Sequence, residues 1–241
     1  VVTVKELRVY LEHGAKDGWC LLHCPDLPGL GFKAPSGDAA MALAPLRLEA
    51  EVDWARKAGF DVFPDGLPQV ALAGAVTVDV AVAAGDTEAI FGPEMAALTD
   101  DYLAFIREYL KITRAPLLEL ARRLPATVLG WRPGKNKRTI GEVIGHVADG
   151  EAFYLVRLET PEAATRELWT EYAAPKQDLV ERLEWTRSRT LERLAGLTAD
   201  DRHRVSRHDP RGETWTARKV LRRLIWHERY HTRQIEAYLT T

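Results

Sequence analysis

Apolar and polar positions alternate from Val2 to Leu11, and an extended pattern resumes from Trp19 to Cys24 after the turn-forming stretch Gly14 to Gly18. Alternation puts every second side chain on one face, so two paired strands are expected, ended by the breaker cluster Pro25-Asp26-Leu27-Pro28-Gly29. A short stretch at Gly31 to Ala34 follows. Ser36 can then cap a helix whose apolar positions Met41, Leu43, Leu46, Leu48, Val52 and Trp54 recur at roughly helical spacing until Gly59. Val-rich segments at Gln69 to Ala73 and Val76 to Ala83, with Ala84-Gly85-Asp86 as a turn, predict further strands that close the sheet.

From Leu98 the texture changes: glycines become rare and long helical periods take over. Asp100 or Asp101 can start a helix that carries Leu103, Ile106, Leu110, Ile112 and Leu117 toward Leu124-Pro125. Thr139-Ile140-Gly141-Glu142 has the spacing of a capping box and starts a second helix running to about Leu158. A third helix is expected from about Pro175 to Leu197, then a polar loop through Pro210 and Gly212, then a fourth helix from about Thr216. The fold class that follows is an α+β two-domain chain. Residues 1–97 form a small β-β-β-α-β domain and residues 98–241 an up-down-down-up four-helix bundle.

Length and composition set the limits within which this holds. The 241 residues suffice for two modest cores, and 46% hydrophobic with 28% charged residues fits neither a disordered nor a membrane protein. No apolar run is long enough to span a bilayer, and Val1 to Glu6 alternates and carries charge, unlike a secretory leader; a cytoplasmic protein is expected. A net charge of −2 gives no field directed at nucleic acid, so no nucleic-acid partner is expected. Cys20 and Cys24, with His23 between them, amount to a partial zinc set, and a structural role is the expectation for both thiols.

The chemistry is concentrated in the helices. On the fourth, the inward stripe runs Val220, Leu224, His227, His231, Ile235 and Tyr238, so two imidazoles four residues apart share one face of the core seam. On the second, Val143, His146, Gly150 and Phe153 form the matching row, with a third imidazole inward and room beside it at Gly150. Each imidazole buried without a partner costs on the order of 1–3 kcal/mol. Three in one core would need three separate partners, whereas one ion satisfies all three, and bundles build metal sites in this way. Three imidazoles leave a position open on zinc, the arrangement of a catalytic site. Several divalent ions accept imidazole, so the metal is not readable from the ligands alone.

His227-Glu228-Arg229-Tyr230-His231 also matches HExxH, in which the glutamate is the general base of a metalloprotease. Such proteases usually draw a third ligand from well downstream, and no histidine lies among the ten residues after His231. Peptide hydrolysis is therefore not expected. Glu228 stands about 100° around the helix from His227 and is the candidate catalytic residue, as a flanking base. Gln234, three residues after His231, is the candidate for holding a ligand or cofactor. Lys135, Lys137 and Arg138 form a basic loop ahead of the second helix, where an anion can be met or the charges simply solvated. Asp149, Glu151 and Glu228 are the candidates for a fourth ligand if the ion is structural.

The segment from Leu98 to Leu239 resembles the DinB-like family of metal-binding four-helix bundles. The likeness rests on Trp131 and Pro133-Gly134, on the run from Thr139 to Glu151 around His146, and on Trp215-Thr216 leading to the run from His227 to Ile235. It implies that His146, His227 and His231 bind zinc or nickel. It also implies the chemistry of family members that transfer low-molecular-weight thiols or isomerise maleylpyruvate, in which a metal-activated thiolate attacks an electrophile. The expected partners are then a small-molecule substrate or thiol, with a non-catalytic, metal-stabilised regulatory or partner-binding module as the alternative. The first domain resembles the HicB-like fold, on Pro25 to Gly29 and Gly37-Asp38-Ala39-Ala40. It is expected to shape the pocket or to drive formation of a homodimer rather than to act as an antitoxin.

Overall fold

The computed structural model describes residues 5–172, 178–207 and 212–240. The chain is mixed α+β and divides into two compact units, Val1–Ala96 and Ala97–Thr241, the first built around a small sheet and the second helical.

In the first unit, strands β1 (Glu6–Gly14), β2 (Cys20–His23) and β3 (Phe32–Ala34) precede helix α1 (Gly37–Lys57) and strand β4 (Gln69–Val78). The sheet order is β3-β2-β1-β4; β1 pairs antiparallel with β2 and parallel with β4, and β2 pairs antiparallel with β3. A parallel neighbour needs a crossover, and α1 supplies it. Ser36 caps this helix by accepting from Ala39 N at 3.1 Å, and Ala40, Ala44, Leu48, Val52 and Ala55 form its buried stripe. It stops at Gly59, whose φ of +84° lets Phe60 N bond back to Ala55 O.

Three expectations for this unit change. β1 runs on to Gly14, so its end lies in the segment read as a turn, while its expected start at Val2 falls outside the described residues. The Val-rich segments form one strand, not two: β4 continues through Ala73, where a bulge shifts the register between Val9 and Tyr10, and Gly74 comes to lie opposite Tyr10. Extended structure ends at Val78, and residues 79–83 form bends and turns.

One buried polar centre holds the first unit together. Glu12 accepts at Oε2 from His23 Nε2 at 2.7 Å and from the Thr87 hydroxyl, and at Oε1 from the Glu88 and Ala89 amides at 2.7 and 3.0 Å. Glu12 and His23 are diagonal neighbours on one face of the β1–β2 pair. The penalty of burial is outweighed by these four donors, and the Glu12 carboxyl is held well below the usual carboxylate range. Cys20 and Cys24 are buried free thiols, pushed up by burial to about 11 and about 12, as a structural role requires.

The second unit contains α2 (Asp100–Arg123), α3 (Ala126–Leu129), α4 (Ile140–Val156), α5 (Arg166–Tyr172), α6 (Leu179–Ala195), α7 (Ala199–His203), strands β5 (Val205–Arg207) and β6 (Thr214–Thr216), and α8 (Ala217–Leu239). Each long helix has a capped start. Thr99 Oγ1 accepts from Tyr102 N, Asp178 Oδ1 from Val180 N and Glu181 N, and Thr216 Oγ1 from Lys219 N. Thr139 and Glu142 make the reciprocal bonds of a capping box at 3.1 and 2.6 Å. α2 and α4 each pack against both α6 and α8. Their common core contains Leu117, Ile140, Val143, Ile144, Val147, Leu183 and Ile235.

The expected start of the third helix at Pro175 lies outside the described residues, and the helix is seen from Leu179. The expected polar loop before α8 contains α7 and the β5–β6 hairpin, while Pro210 lies outside the described residues. Short runs such as Val205–Arg207 carry too few periods to be read from sequence. Among the described residues no helix is long and apolar enough to cross a membrane.

Candidate metal centre

α4 and α8 pack together, and their facing rows bring His146, His227 and His231 into one group. One potential ligand nitrogen from each lies within 4.8 Å of the others. His146 Nε2 and His227 Nε2 are 3.2 Å apart. Two nitrogens on one tetrahedral zinc, each about 2.0–2.1 Å from it, would be roughly 3.3 Å apart, so this pair has the spacing of two ligands on one ion. The three rings meet edge to face, with centroids 4.5–5.0 Å apart.

Two of the rings are oriented by a neighbour outside the trio. Gln234 donates through Nε2 to the Tyr238 hydroxyl at 2.9 Å, which turns its Oε1 toward His231 Nδ1 at 2.8 Å. Nδ1 is then the protonated nitrogen of His231, and Nε2 is the nitrogen that carries the lone pair. Tyr238 in turn packs against the edge of Trp131, 5.6 Å between centroids. Gln234, taken from the sequence as a cofactor-binding residue, thus touches an imidazole rather than open space. Gly150 does the same by steric means. A Cβ at this position would lie 2.5 Å from His227 Cε1 and 2.8 Å from Nδ1, so the room beside it is filled by the His227 ring.

Burial holds His227 well below its ordinary value, reinforced by His231, His146, Arg223 and Arg138; burial and Arg138 lower His146. Both rings are therefore neutral at neutral pH, the form that binds a metal. The donor set is all imidazole nitrogen, which suits zinc, nickel and their neighbours, and no carboxylate belongs to the group among the described residues.

Behind this trio lies a second polar cluster that sequence reasoning missed. Arg114 of α2 pairs with Glu151 of α4 and Glu228 of α8, and Arg187 of α6 pairs with the same two carboxylates. All four side chains are buried, so one residue from each long helix enters a single ion quartet. Arg187 Nε bonds Glu151 Oε1 at 2.8 Å and its NH2 bonds Glu228 Oε2 at 2.5 Å. Thr113 Oγ1 donates to Glu228 Oε2 at 2.9 Å, while Arg114 Nε lies 2.8 Å from Glu228 Oε1, at ion-pair distance but off the line of a hydrogen bond.

This changes the reading of Glu228. The candidate base has both oxygens turned onto two arginines, so the glutamate of the HExxH string works as a strut between helices. Glu151 is engaged in the same way, and Asp149 pairs with Arg182. None of the three carboxylates considered as a fourth ligand points to the imidazoles. A signal for the quartet was present. Arg114 stands between Leu110 and Leu117, and Arg187 between Leu183 and Leu194, in rows without another charge, and a charge in such a row needs a buried counter-ion.

The basic loop ahead of α4 lies beside the trio. With His146, Gly141 and Gly145 it lines a cavity of about 680 Å³ that is open to solvent. The size falls in the range of small-molecule sites.

Compared with known proteins, the sequence pattern described as the DinB superfamily matches residues 109–235, which covers α4, α6, most of α2 and α8, and all three histidines. Neither the curated proteins nor the solved structures that were compared gave a match.

Proposed function

Because this chain belongs to the DinB superfamily, we propose that its second unit is an up-down-down-up four-helix bundle holding one divalent ion, zinc or nickel, on His146, His227 and His231. The observation that carries the proposal is the convergence of three imidazoles, two of them, His146 and His227, held neutral chiefly by burial, with no carboxylate in the group among the described residues. We take the site to be catalytic, of the type that joins a low-molecular-weight thiol to an electrophile. An ion held by three imidazoles keeps a position open, and there it would act as a Lewis acid and lower the pKa of a thiol.

The chain's own residues have simpler tasks. Gln234 and Gly150 hold the rings of His231 and His227, and the cavity at His146 admits the substrate. A structural ion would call for a fourth protein ligand, and the carboxylates nearest in sequence, Asp149, Glu151 and Glu228, are bound to arginines. This favours the enzyme over the non-catalytic module. For the first unit we propose a HicB-like fold, for which the strand and helix order is suitable, acting as a fused accessory domain.

The test is to load the full chain with cobalt(II) and add small thiols. A thiolate-to-cobalt charge-transfer band in the near ultraviolet is the expected result. A cobalt spectrum unchanged by any thiol would mean a closed ion and would move the reading to the non-catalytic module.

A further inference from the structure

The cavity beside His146 carries an unbalanced charge. Five cations line it, Arg132, Lys135, Lys137, Arg138 and Arg182, against two carboxylates, Glu142 and Asp149. Both carboxylates are already engaged. Asp149 pairs with Arg182, and Glu142 caps its own helix and approaches Arg132 at 3.9 Å. Lys135, Lys137 and Arg138 make no ion pair at contact distance among the described residues, although Arg138 is near enough to help lower Glu142, and all three are exposed on the loop that rims the cavity.

A solvated basic loop on a convex surface would spread its charges apart. Here they converge on a concavity that ends at a prospective metal ligand, and a concave wall with an excess of one sign concentrates its field on the space it encloses. The negative charge on the α4 side is confined to Glu142 and Asp149, each beside an arginine. Gly141 and Gly145, one turn apart on α4, leave bare backbone along it, while the apolar side chain among the lining residues is Leu179. An ion on the three imidazoles would add two further positive charges at the inner end.

We infer that this cavity is the binding site for a small anionic ligand, a substrate or thiol bearing carboxylate or phosphate groups, which Lys137 and Arg138 hold by charge-assisted hydrogen bonds while its reacting end faces the histidines. The inference rests on the proposed metal site for its direction but not for its charge, because the cationic rim is present whether or not a metal is bound. Arginine suits the planar carboxylate or phosphate face, and lysine acts as a mobile point charge.

The experiment is calorimetric titration of the zinc-loaded full chain, at low ionic strength, with succinate, inorganic phosphate and the neutral succinamide. The parent should bind one or both anions and not succinamide. Lys137→Gln/Arg138→Gln should bind the anion at least about tenfold more weakly with unchanged zinc content, a loss set by two charge-assisted contacts. The control Arg122→Gln/Arg123→Gln, which removes the same charge away from the cavity, should behave as the parent. Tighter binding of phosphate assigns the phosphate class and tighter binding of succinate the dicarboxylate class. Equal affinity in the rim variant, equal loss in the control, binding of succinamide, or no anion binding by the parent would each overturn the inference. Failure of the metal site reads differently: zinc would be absent from the parent while rim-dependent anion binding persisted.

Discussion

Two regions of this molecule bury histidine, and they do so in opposite ways. In the first unit His23 faces its own acid: its Nε2 is 2.7 Å from Glu12, and both side chains are fully shielded. In the second unit His146, His227 and His231 face one another, and the nearby acids are given to arginines instead. A histidine paired with a carboxylate is a closed account of charge and hydrogen bonds. Three histidines turned inward without an acid repel one another when protonated and become compatible only when neutral and gathered about a cation. The partner, more than the burial, separates a core histidine from a ligand.

The ion quartet offers the strongest way to break this comparison, since it keeps the acids away from the trio. Glu228→Gln would leave two buried arginines with one carboxylate, and a loss of about 3–5 kcal/mol in unfolding free energy is expected from denaturant titration. A catalytic base would give the contrary pattern, unchanged stability with lost activity. Gly150→Ala tests the trio sterically. The helix itself should gain about 1 kcal/mol, yet the new Cβ would displace His227, and chelator competition should show at least about a hundredfold loss of metal affinity. A variant that binds as the parent does would mean that His227 is not a ligand in this rotamer. Gln234→Leu removes only the partner of His231 and should cost about 10–100-fold in the same assay, with the circular dichroism spectrum retained.

The paired histidine's side of the comparison is read in stability rather than in metal affinity. Glu12 titrates below its ordinary value of 4.5, so the folded state holds its proton less tightly than the unfolded state. Its contribution is complete above pH 4.5 and is lost as the pH falls, by at most about 1.4 kcal/mol per pH unit for one proton. Glu12→Gln should be less stable at neutral pH and should lack this part of the acid dependence. Parallel stability profiles for the parent and the variant below pH 4.5 would show that the pairing contributes nothing.

How far the sequence could be read follows from the range of each interaction. Helix starts depend on residues three or four apart, and the caps at Thr139 and Thr216 were visible for that reason. The three histidines were visible because helical spacing alone puts them in inward rows. Glu228 was misleading because its phase on α8 does not tell which helix it meets. That depends on Arg114 and Arg187, which are 114 and 41 residues away along the chain. The bulge in β4 was hidden in the same way, because the register is set by β1 rather than by the Val-rich run itself. Local rules gave the positions of the three histidines, and only the packing of α2 on α8, and of α6 on α2 and α4, gave the fate of the acid beside them.

The most direct test is elemental analysis of the full chain, purified without a histidine tag or added metal, beside the His146→Ala/His227→Ala/His231→Ala variant. The account predicts about one equivalent of zinc or nickel in the parent and none in the still-folded variant. No metal in the parent after soaking with divalent ions, or equal metal in both proteins, would contradict it.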